Sequence, residues 1–209
     1  MNDGSPVPME PRERELARVR LEAQRAILRV LAESSTVAAA TPRFLRVLCE
    51  SARYDFGAIW RLDRKARVLH CVETWVAPDS NLQMFDSLTR ATTLASGQEL
   101  PGRVWASRKA EWAVDLGSEL EAPRAAAAWR AGLHGAIALP IHFNDRFFGV
   151  LEFCSRTGGA PDPEWVRLLE DIDRQVAFIV MGRRDEEELQ QLFDLSVVML
   201  CIAGFDGYF

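Results

Sequence analysis

Cysteine and histidine are the residue types in this sequence with the most capacity for metal binding and nucleophilic chemistry. The cysteines form no CxxC pair and have apolar neighbours; they are Cys49, Cys71, Cys154 and Cys201. Such cysteines are typically reduced and packed in a core. The histidines lack metal-ligand spacing; they are His70, His134 and His142. The sequence therefore offers no case for a structural zinc or an iron–sulfur cluster.

Catalytic motifs are also absent from the sequence. There is no GxxxxGK[ST] loop, no GxGxxG that opens a helix after a strand, and no GxSxG. The carboxylates of "WAVDLGSELE" are typical of a solvated surface. A phospho-accepting histidine would need a helix, whereas all three histidines fall in or beside predicted strands. We expect no catalysis by this chain itself, which leaves binding as its function class.

Charge and hydropathy exclude further classes. The chain has 209 residues, 48% of them hydrophobic, and a net charge of -5. An acidic chain is a poor candidate for non-specific nucleic-acid binding, which needs a basic surface. No run approaches the roughly 18 apolar residues of a membrane span, and the first 15 residues lack the apolar core of a secretory signal. We expect a cytoplasmic protein with no membrane contact in this segment.

The beginning of the chain predicts a helix that could mediate dimerisation. Residues 1–10 are polar and are expected to be disordered, and residues 11–34 have helical periodicity. Apolar side chains recur at alternating intervals of three and four, at Leu16, Val19, Ala23, Ala26 and Val30. This stripe could pair with a second copy of the chain, or it could lie on the domain that follows.

The middle of the chain alternates strand and helix signals. Thr41-Pro42 predicts the start of a helix that ends near Arg53. Two hairpins follow, at 56–76 and, joined by Asn144-Asp145, at 135–155, with short helices and brief strands between them. Another helix begins at Pro163. The order predicts an α+β fold in α/β/α layers: one mostly antiparallel sheet, helices from both chain ends on one face, and short helices on the other.

Four phrases follow this order of elements: "LPGRVWASRKAEWAVDL", "PRAAAAWRAGLHGAIALPI", "FFGVLEFCS" and "DPEWVRLLEDIDRQVAFIVMGRRDEEEL". Together they resemble a GAF domain of the kind found in bacterial sensor kinases and cyclic-di-GMP enzymes. The resemblance covers roughly residues 35–182. Residues 183–196 continue as a charged helix with a narrow stripe that includes Leu189 and Leu192, which is typical of a solvated tail or of one strand of a coiled coil.

The last residues, "LFDLSVVMLCIAGFDGYF", resemble the start of a PAS domain: a lead-in helix, a first strand and the Asp-Gly turn before the next strand. A PAS domain needs roughly a hundred residues. Residues 197–209 would therefore be a truncated start, and the chain would be the N-terminal piece of a longer protein.

The resemblance implies a pocket for a small ligand, such as a cyclic nucleotide, a tetrapyrrole or haem, between the sheet and the short helices. Strand alternation places Ala58, Trp60 and Leu62 on one face and Ile59 on the other, and the resemblance suggests that the Trp60 face is the pocket side. The candidate pocket residues are Trp60, Trp75, Phe85, Trp105, Trp112, Asp115, Arg124, Trp129 and His134. The alternative is a filled, structural pocket in which Asp115 and Arg124 cap or pair with each other.

The resemblance also restricts the cofactor, which stays unknown. Tetrapyrrole-binding members usually present a Cys just before a His, whereas Leu133 precedes His134, so a covalent bilin is not expected. Haem is not expected either: it would need an axial ligand such as His134 or His70, and the glycines around His134 favour an exposed loop. The NKFDE signature of cyclic-nucleotide members is absent.

Three functions remain as hypotheses. The first is a homodimeric sensory module of a sensor histidine kinase, or alternatively of a diguanylate cyclase or phosphodiesterase, which relays ligand binding through its terminal helices to a PAS domain and an output domain. The second is a ligand-free dimerisation scaffold. The third is a free-standing enzyme such as a methionine sulfoxide reductase, which would need reactive cysteines that face the pocket, whereas Cys71 and Cys154 lie within predicted strands.

Overall fold

The computed structural model describes residues 21, 25–26, 29–30, 37–78, 80–119, 122–143, 146–161, 163, 165–167 and 169. The predictions for residues 1–20 and 170–209 lie outside this set. The same holds for the turn at 144–145 and for the predicted stripe positions Leu16, Val19, Ala23, Leu189 and Leu192. Within the described part, no helix is long and apolar enough to cross a membrane.

A six-stranded antiparallel sheet forms the centre of the fold. Its strands are β1 (Phe56–Asp63), β2 (Val68–Val76), β3 (Thr93–Leu94), β4 (Glu111–Ala113), β5 (Gly135–Phe143) and β6 (Arg146–Ser155). They lie in the order β3-β2-β1-β6-β5-β4, and each neighbouring pair is antiparallel. The apolar hairpin arms β5 and β6 are interior strands, as expected for strands covered on both faces. The predicted α+β class is confirmed.

The helices whose bounds fall within the described residues flank the sheet: α1 (Val37–Ala52), α2 (Gln83–Ala91), α3 (Glu99–Ser107) and α4 (Pro123–Arg130). A short 3-10 helix spans Leu116–Glu119. Pro123 opens α4, where its missing N–H costs nothing. The predicted start of α1 at Thr41-Pro42 was wrong, because the helix begins at Val37 and Pro42 lies inside it. Three alanines, which are strong helix formers, precede Thr41 and extend the helix in the N-terminal direction beyond Pro42.

The face that packs against α1 forms one hydrophobic cluster, which we call the helix-side core. It joins α1 to inward residues of β5 and β6 and to Val30, Trp165 and Leu169; its other buried members are Phe44, Leu45, Leu48, Cys49, Ile137, Leu139, Ile141, Leu151 and Phe153. Val30 is buried there and Ala26 is half-buried. The end of the predicted N-terminal stripe therefore contributes to the core of the domain.

The opposite face packs against α2, α3 and α4 and forms the pocket-side core. Its main members are Phe56, Ala58, Trp60, Leu69, Phe85, Leu100, Val104, Leu116, Ala128, Val150 and Cys154. Ala58, Trp60 and Leu62 contact this core, whereas Ile59 contacts the helix-side core. The predicted alternation of β1 is therefore correct, and the short helices cover the Trp60 face.

A bulge in β2 changes which side chains reach the pocket side. Ile59 pairs with Glu73 but Trp60 pairs with Cys71, so β2 contains one extra residue at Val72. Cys71 contacts the pocket-side core, whereas Trp75, four residues later, contacts the helix-side core. The prediction that Trp75 lies in the pocket wall was wrong, because the bulge between Cys71 and Trp75 reverses which face of the sheet the later side chains occupy.

Candidate ligand-binding site

Arg124 is a buried cation on the pocket side of the sheet. It is the second residue of α4 and only 5% exposed. Its Nε donates to Glu99 Oε2 at 3.0 Å, and its Nη1 donates to Glu152 Oε2 at 3.1 Å. Its Nη2 donates to the other oxygen of Glu152, and Nη1 also lies 3.4 Å from Thr89 Oγ1. A guanidinium cannot lose its proton in a protein, so this charge is permanent.

Glu152 supplies the main counter-charge from the middle of β6. It is 2% exposed, and Trp60 Nε1 donates to its Oε2 at 2.9 Å. Its cross-strand neighbours are both small, Ala58 on β1 and Ala138 on β5, which leaves room above the sheet for the guanidinium. Burial raises the pKa of Glu152, while Arg124 and the Trp60 N–H act in the opposite direction.

Two aromatic rings enclose the guanidinium. The Arg124 Cζ lies 5.0 Å from the centre of the Trp60 ring and 5.3 Å from that of Phe85. Phe85 is fixed by an edge contact with Phe56 at 4.6 Å between ring centres. Cation–π contacts at such distances stabilise a desolvated charge. Arg124 is therefore held in one orientation by carboxylates and by aromatic faces.

Glu99 is the third charged member and the least buried. Its side chain is 13% exposed, compared with 5% for Arg124 and 2% for Glu152. Glu99 opens α3 with a φ of 47°, which is in the left-handed region that side-chain-bearing residues avoid. A non-glycine residue in this region is strained, and such strain is concentrated at functional sites.

A small cavity adjoins the three charges. Its volume is about 10 Å³, and its lining consists of Phe85, Glu99, Leu100, Leu116, Arg124, Ala125, Ala128, Glu152 and Cys154. A single water needs roughly 10–15 Å³. In this conformation the protein's own side chains fill the space, so any larger ligand would need Glu99 or a neighbouring helix to move.

Comparison with known families identifies the family to which this fold belongs. The sequence model of the GAF domain matches residues 34–181, well over half of the chain. The chain belongs to the GAF domain family. GAF domains are regulatory and sensory modules that bind ligands, and in general they are not catalysts. A search of curated proteins found no match.

Solved structures of similar fold come from functionally different proteins. The GAF domain of a phosphoenolpyruvate-protein phosphotransferase from Coxiella burnetii has a TM-score of 0.65 at 17% identity, covering 82% of this chain and 98% of its own. The free methionine-R-sulfoxide reductase of Neisseria meningitidis, in complex with its substrate, has a TM-score of 0.66 at 16% identity, covering 89% and 99%. The chromophore-binding domain of a bacteriophytochrome from R. palustris has 0.58 at 11%, covering 90% and 66%. At these identities the likeness concerns the fold alone.

The predicted pocket residues of this GAF domain fall into two groups. Trp60, Phe85 and Arg124 come together at the buried cluster. Trp105 packs nearby against the pocket-side core and stacks on Phe147, with ring centres 6.4 Å apart. Of the predicted residues, Phe85 and Arg124 line the cavity, whereas the others lie outside its lining; they are Trp60, Trp75, Trp105, Trp112, Asp115, Trp129 and His134.

Asp115 has a local structural role instead of an ion pair with Arg124. It is exposed, and its Oδ1 accepts from the backbone N of Gly117 at 2.8 Å. Its backbone oxygen accepts from the Ser118 hydroxyl at 2.7 Å. These contacts start the 3-10 helix. The proposed pairing of Asp115 with Arg124 is therefore replaced by the pairing of Arg124 with Glu152 and Glu99.

The remaining aromatic candidates lie nearer the surface. Trp112 is exposed on β4, and Trp129 contacts His134 edge-on with ring centres 4.3 Å apart. The backbone of His134 is used by its neighbours: its N donates to Ser155 and its O accepts from Leu116. Across the described residues, no group of three His, Cys, Asp or Glu side chains is placed to hold a metal ion.

The described cysteines have environments that suppress thiol reactivity. Cys49 and Cys154 are buried, and burial raises the pKa of both thiols. Cys154 does line the cavity. Cys71 is partly buried, and burial raises its pKa to about 12 from an ordinary value of 9.0. The thiolate, which is the reactive form, is therefore depleted at neutral pH.

We predict slow alkylation of these three thiols in the folded domain. At pH 8 the raised pKa of Cys71 lowers its thiolate population about a thousandfold relative to a free thiol. The measurement is the rate of iodoacetamide labelling, resolved by peptide mass and compared with the rate in urea. A native rate at Cys71 or Cys154 equal to the urea rate would contradict this account and would favour thiol chemistry in the pocket.

Proposed function

We propose that this GAF domain is the small-ligand sensor of a larger signalling protein, and that the ligand binds where Arg124, Glu152 and Glu99 meet the cavity. The observation that carries the proposal is the burial of these charges. A buried ion pair is commonly no more stabilising than apolar residues of the same size, and is often less so. Its presence in an otherwise apolar layer therefore favours recognition of a polar group.

The proposed output passes through the sheet to the other face. Glu152 faces the pocket, and its β6 neighbours Leu151 and Phe153 belong to the helix-side core, which also contains Val30 and Trp165. Ligand binding would favour one of two arrangements of these layers, which is a population shift. The predicted helix at 183–196, with Leu189 and Leu192 in its stripe, would then carry the change onward.

For the parent protein we propose a sensor histidine kinase, with a diguanylate cyclase or phosphodiesterase as the alternative. The support comes from the sequence: the GAF-like phrases, the charged helix at 183–196, and the resemblance of residues 197–209 to the first strand of a PAS domain. On this proposal residues 11–34 and 183–196 are the dimerising and signalling helices of a homodimer in the cytoplasm.

Native mass spectrometry of the purified chain, from gentle to denaturing conditions, tests the proposal. We expect an additional mass that leaves on denaturation, because a pocket built around a desolvated cation should retain its ligand. A second candidate function, a ligand-free dimerisation scaffold, is favoured by the cavity volume of only about 10 Å³. A bare dimer whose dissociation constant rises when residues 1–34 are removed would support the scaffold and count against the sensor.

A further inference from the structure

We infer that Glu99 occupies the place of a ligand carboxylate, and that the site takes a short-chain carboxylic acid whose carboxylate replaces that of Glu99 on Arg124. This inference rests on the proposed function and specifies the ligand class for the same site. It makes Glu99 a built-in competitor that keeps the pocket closed until the acid is present.

The charge of Arg124 is already compensated without Glu99. Glu152 already contacts both terminal nitrogens of Arg124, so one carboxylate neutralises the guanidinium without Glu99. Glu99 contacts only Nε, the remaining edge of the planar group, at 3.0 Å. An Arg side chain binds carboxylates through this fork of donors, and any carboxylate of suitable size can use the Nε edge. Glu99 is therefore replaceable, whereas Glu152 is not.

Glu99 is the member of the cluster that is best placed to turn away from Arg124. It is the most exposed of the three charges, and its backbone is strained at a φ of 47°. The loop before it is held by short local contacts: Gly97 N donates to Gly102 O at 2.7 Å, and Gly102 N donates to Gln98 O at 2.9 Å. A backbone rearrangement at Glu99 that accompanies an outward turn of its side chain would release this strain and offset part of the loss of the ion pair.

The space that Glu99 would vacate suits a short-chain acid in shape and chemistry. That space joins the cavity, whose walls away from the charges are apolar: Leu100, Leu116, Ala125 and Ala128. A carboxylate would lie against Arg124, and a short hydrocarbon chain would lie against these residues. A cationic ligand in the same position would lie against the guanidinium and be repelled by it.

The test measures binding of acetate and propionate by calorimetry at constant ionic strength, with acetamide and propionamide as neutral probes of the same shape. The variant Glu99→Ala removes atoms that correspond to acetate. We expect wild-type protein to bind propionate saturably. Glu99→Ala should bind propionate about tenfold more tightly or better, because propionate no longer has to displace the hydrogen bond between Glu99 and Arg124, and a hydrogen bond to a charged group corresponds to about this change in affinity. The amides should show no such gain.

Glu111→Ala is the matched control, because it also removes a carboxylate that pairs with an arginine, Arg103, at 3.4 Å, but at the surface. Three results would overturn the inference: no saturable propionate binding by wild-type protein, equal gains for propionate and propionamide in Glu99→Ala, or the same gain in Glu111→Ala. If Glu99→Ala does not fold, Glu99→Gly serves instead, because glycine tolerates the positive φ.

The same experiment separates this inference from the proposed function. Propionate binding could follow the expected order in a protein that retains no natural ligand and whose signalling does not change when propionate binds. That result would support the proposed ligand chemistry of the site and contradict the proposed sensory function. Alternatively, the protein could retain a natural ligand that has no carboxylate and bind propionate no better than propionamide. That result would support the sensory function and contradict the inference that the ligand is a carboxylic acid.

Discussion

Replacement of Glu152 by leucine is expected to lower the free energy of unfolding by about 3 kcal/mol. The substitution leaves Arg124 buried with only Glu99 as a charged partner, and it also removes the acceptor of the Trp60 N–H. A guanidinium cannot relieve this by losing its proton. The value is at the lower end of the range for a broken buried pair, because Glu99 remains in contact. Urea unfolding followed by circular dichroism measures it.

The double variant Arg124→Met/Glu152→Leu should recover most of the loss. Arg124 and Glu152 are then both absent, and apolar side chains of similar volume fill their space, which is often neutral or stabilising. Glu99 loses its partner, but it is the most exposed of the three and can turn toward solvent. Arg124→Met alone breaks the same pair from the other side, so the double-mutant cycle should give a coupling of at least about 2 kcal/mol. Glu111→Ala, at a surface ion pair, should change stability by less than about 0.5 kcal/mol. Additive losses in the double variant would contradict this energetic account of the cluster.

Gly149→Ala is expected to destabilise the domain by about 3 kcal/mol, the upper part of the range for overpacking. A Cβ at this position would lie 1.9 Å from the backbone oxygen of Trp60, and a backbone atom in a paired strand cannot move aside cheaply. Gly149 pairs with Arg61 across β1 and β6. The close approach of these two strands positions Trp60, which donates to Glu152, so the ligand site should also be disturbed.

Gly97→Ala is the control for this second prediction. No atom lies within 4 Å of the Cβ that the substitution would add, although the φ of 86° disfavours alanine. Only backbone strain remains, which costs roughly 1–2 kcal/mol. Thermal unfolding, together with near-ultraviolet circular dichroism of the tryptophans, compares the two variants. Equal losses for both would show that the contact with the Trp60 oxygen has no special effect.

Much of the fold could be predicted because long, strongly patterned segments carry clear signals. The apolar arms that became β5 and β6, and the proline that opens α4, were placed within one or two residues. The start of α1 was wrong because Pro42 was interpreted as a first-turn residue, whereas the preceding alanines extend the helix. Local signals indicate where a helix can begin, and competing propensities decide where it does.

The ligand site was harder to predict because it depends on contacts between distant residues. Arg124 was identified as a candidate, but its partners Glu152 and Glu99 were missed. Glu152 has a usable signal: it is the one acidic residue in the apolar strand "RFFGVLEFCS", where a buried charge requires a partner. Glu99 has no such signal, since its role depends on a left-handed backbone at the start of α3. The position of Trp75 depended on the bulge at Val72, which strand alternation cannot reveal.

The most direct test of the central claim, that the buried cluster serves ligand binding, compares wild-type protein with Arg124→Met/Glu152→Leu by native mass spectrometry. The urea curves first establish that both proteins are folded. We expect an additional mass on the wild-type chain that leaves on denaturation, and no such mass on the double variant. The same additional mass on both proteins would place the ligand elsewhere, and two bare folded proteins would leave the buried charges without a role in binding.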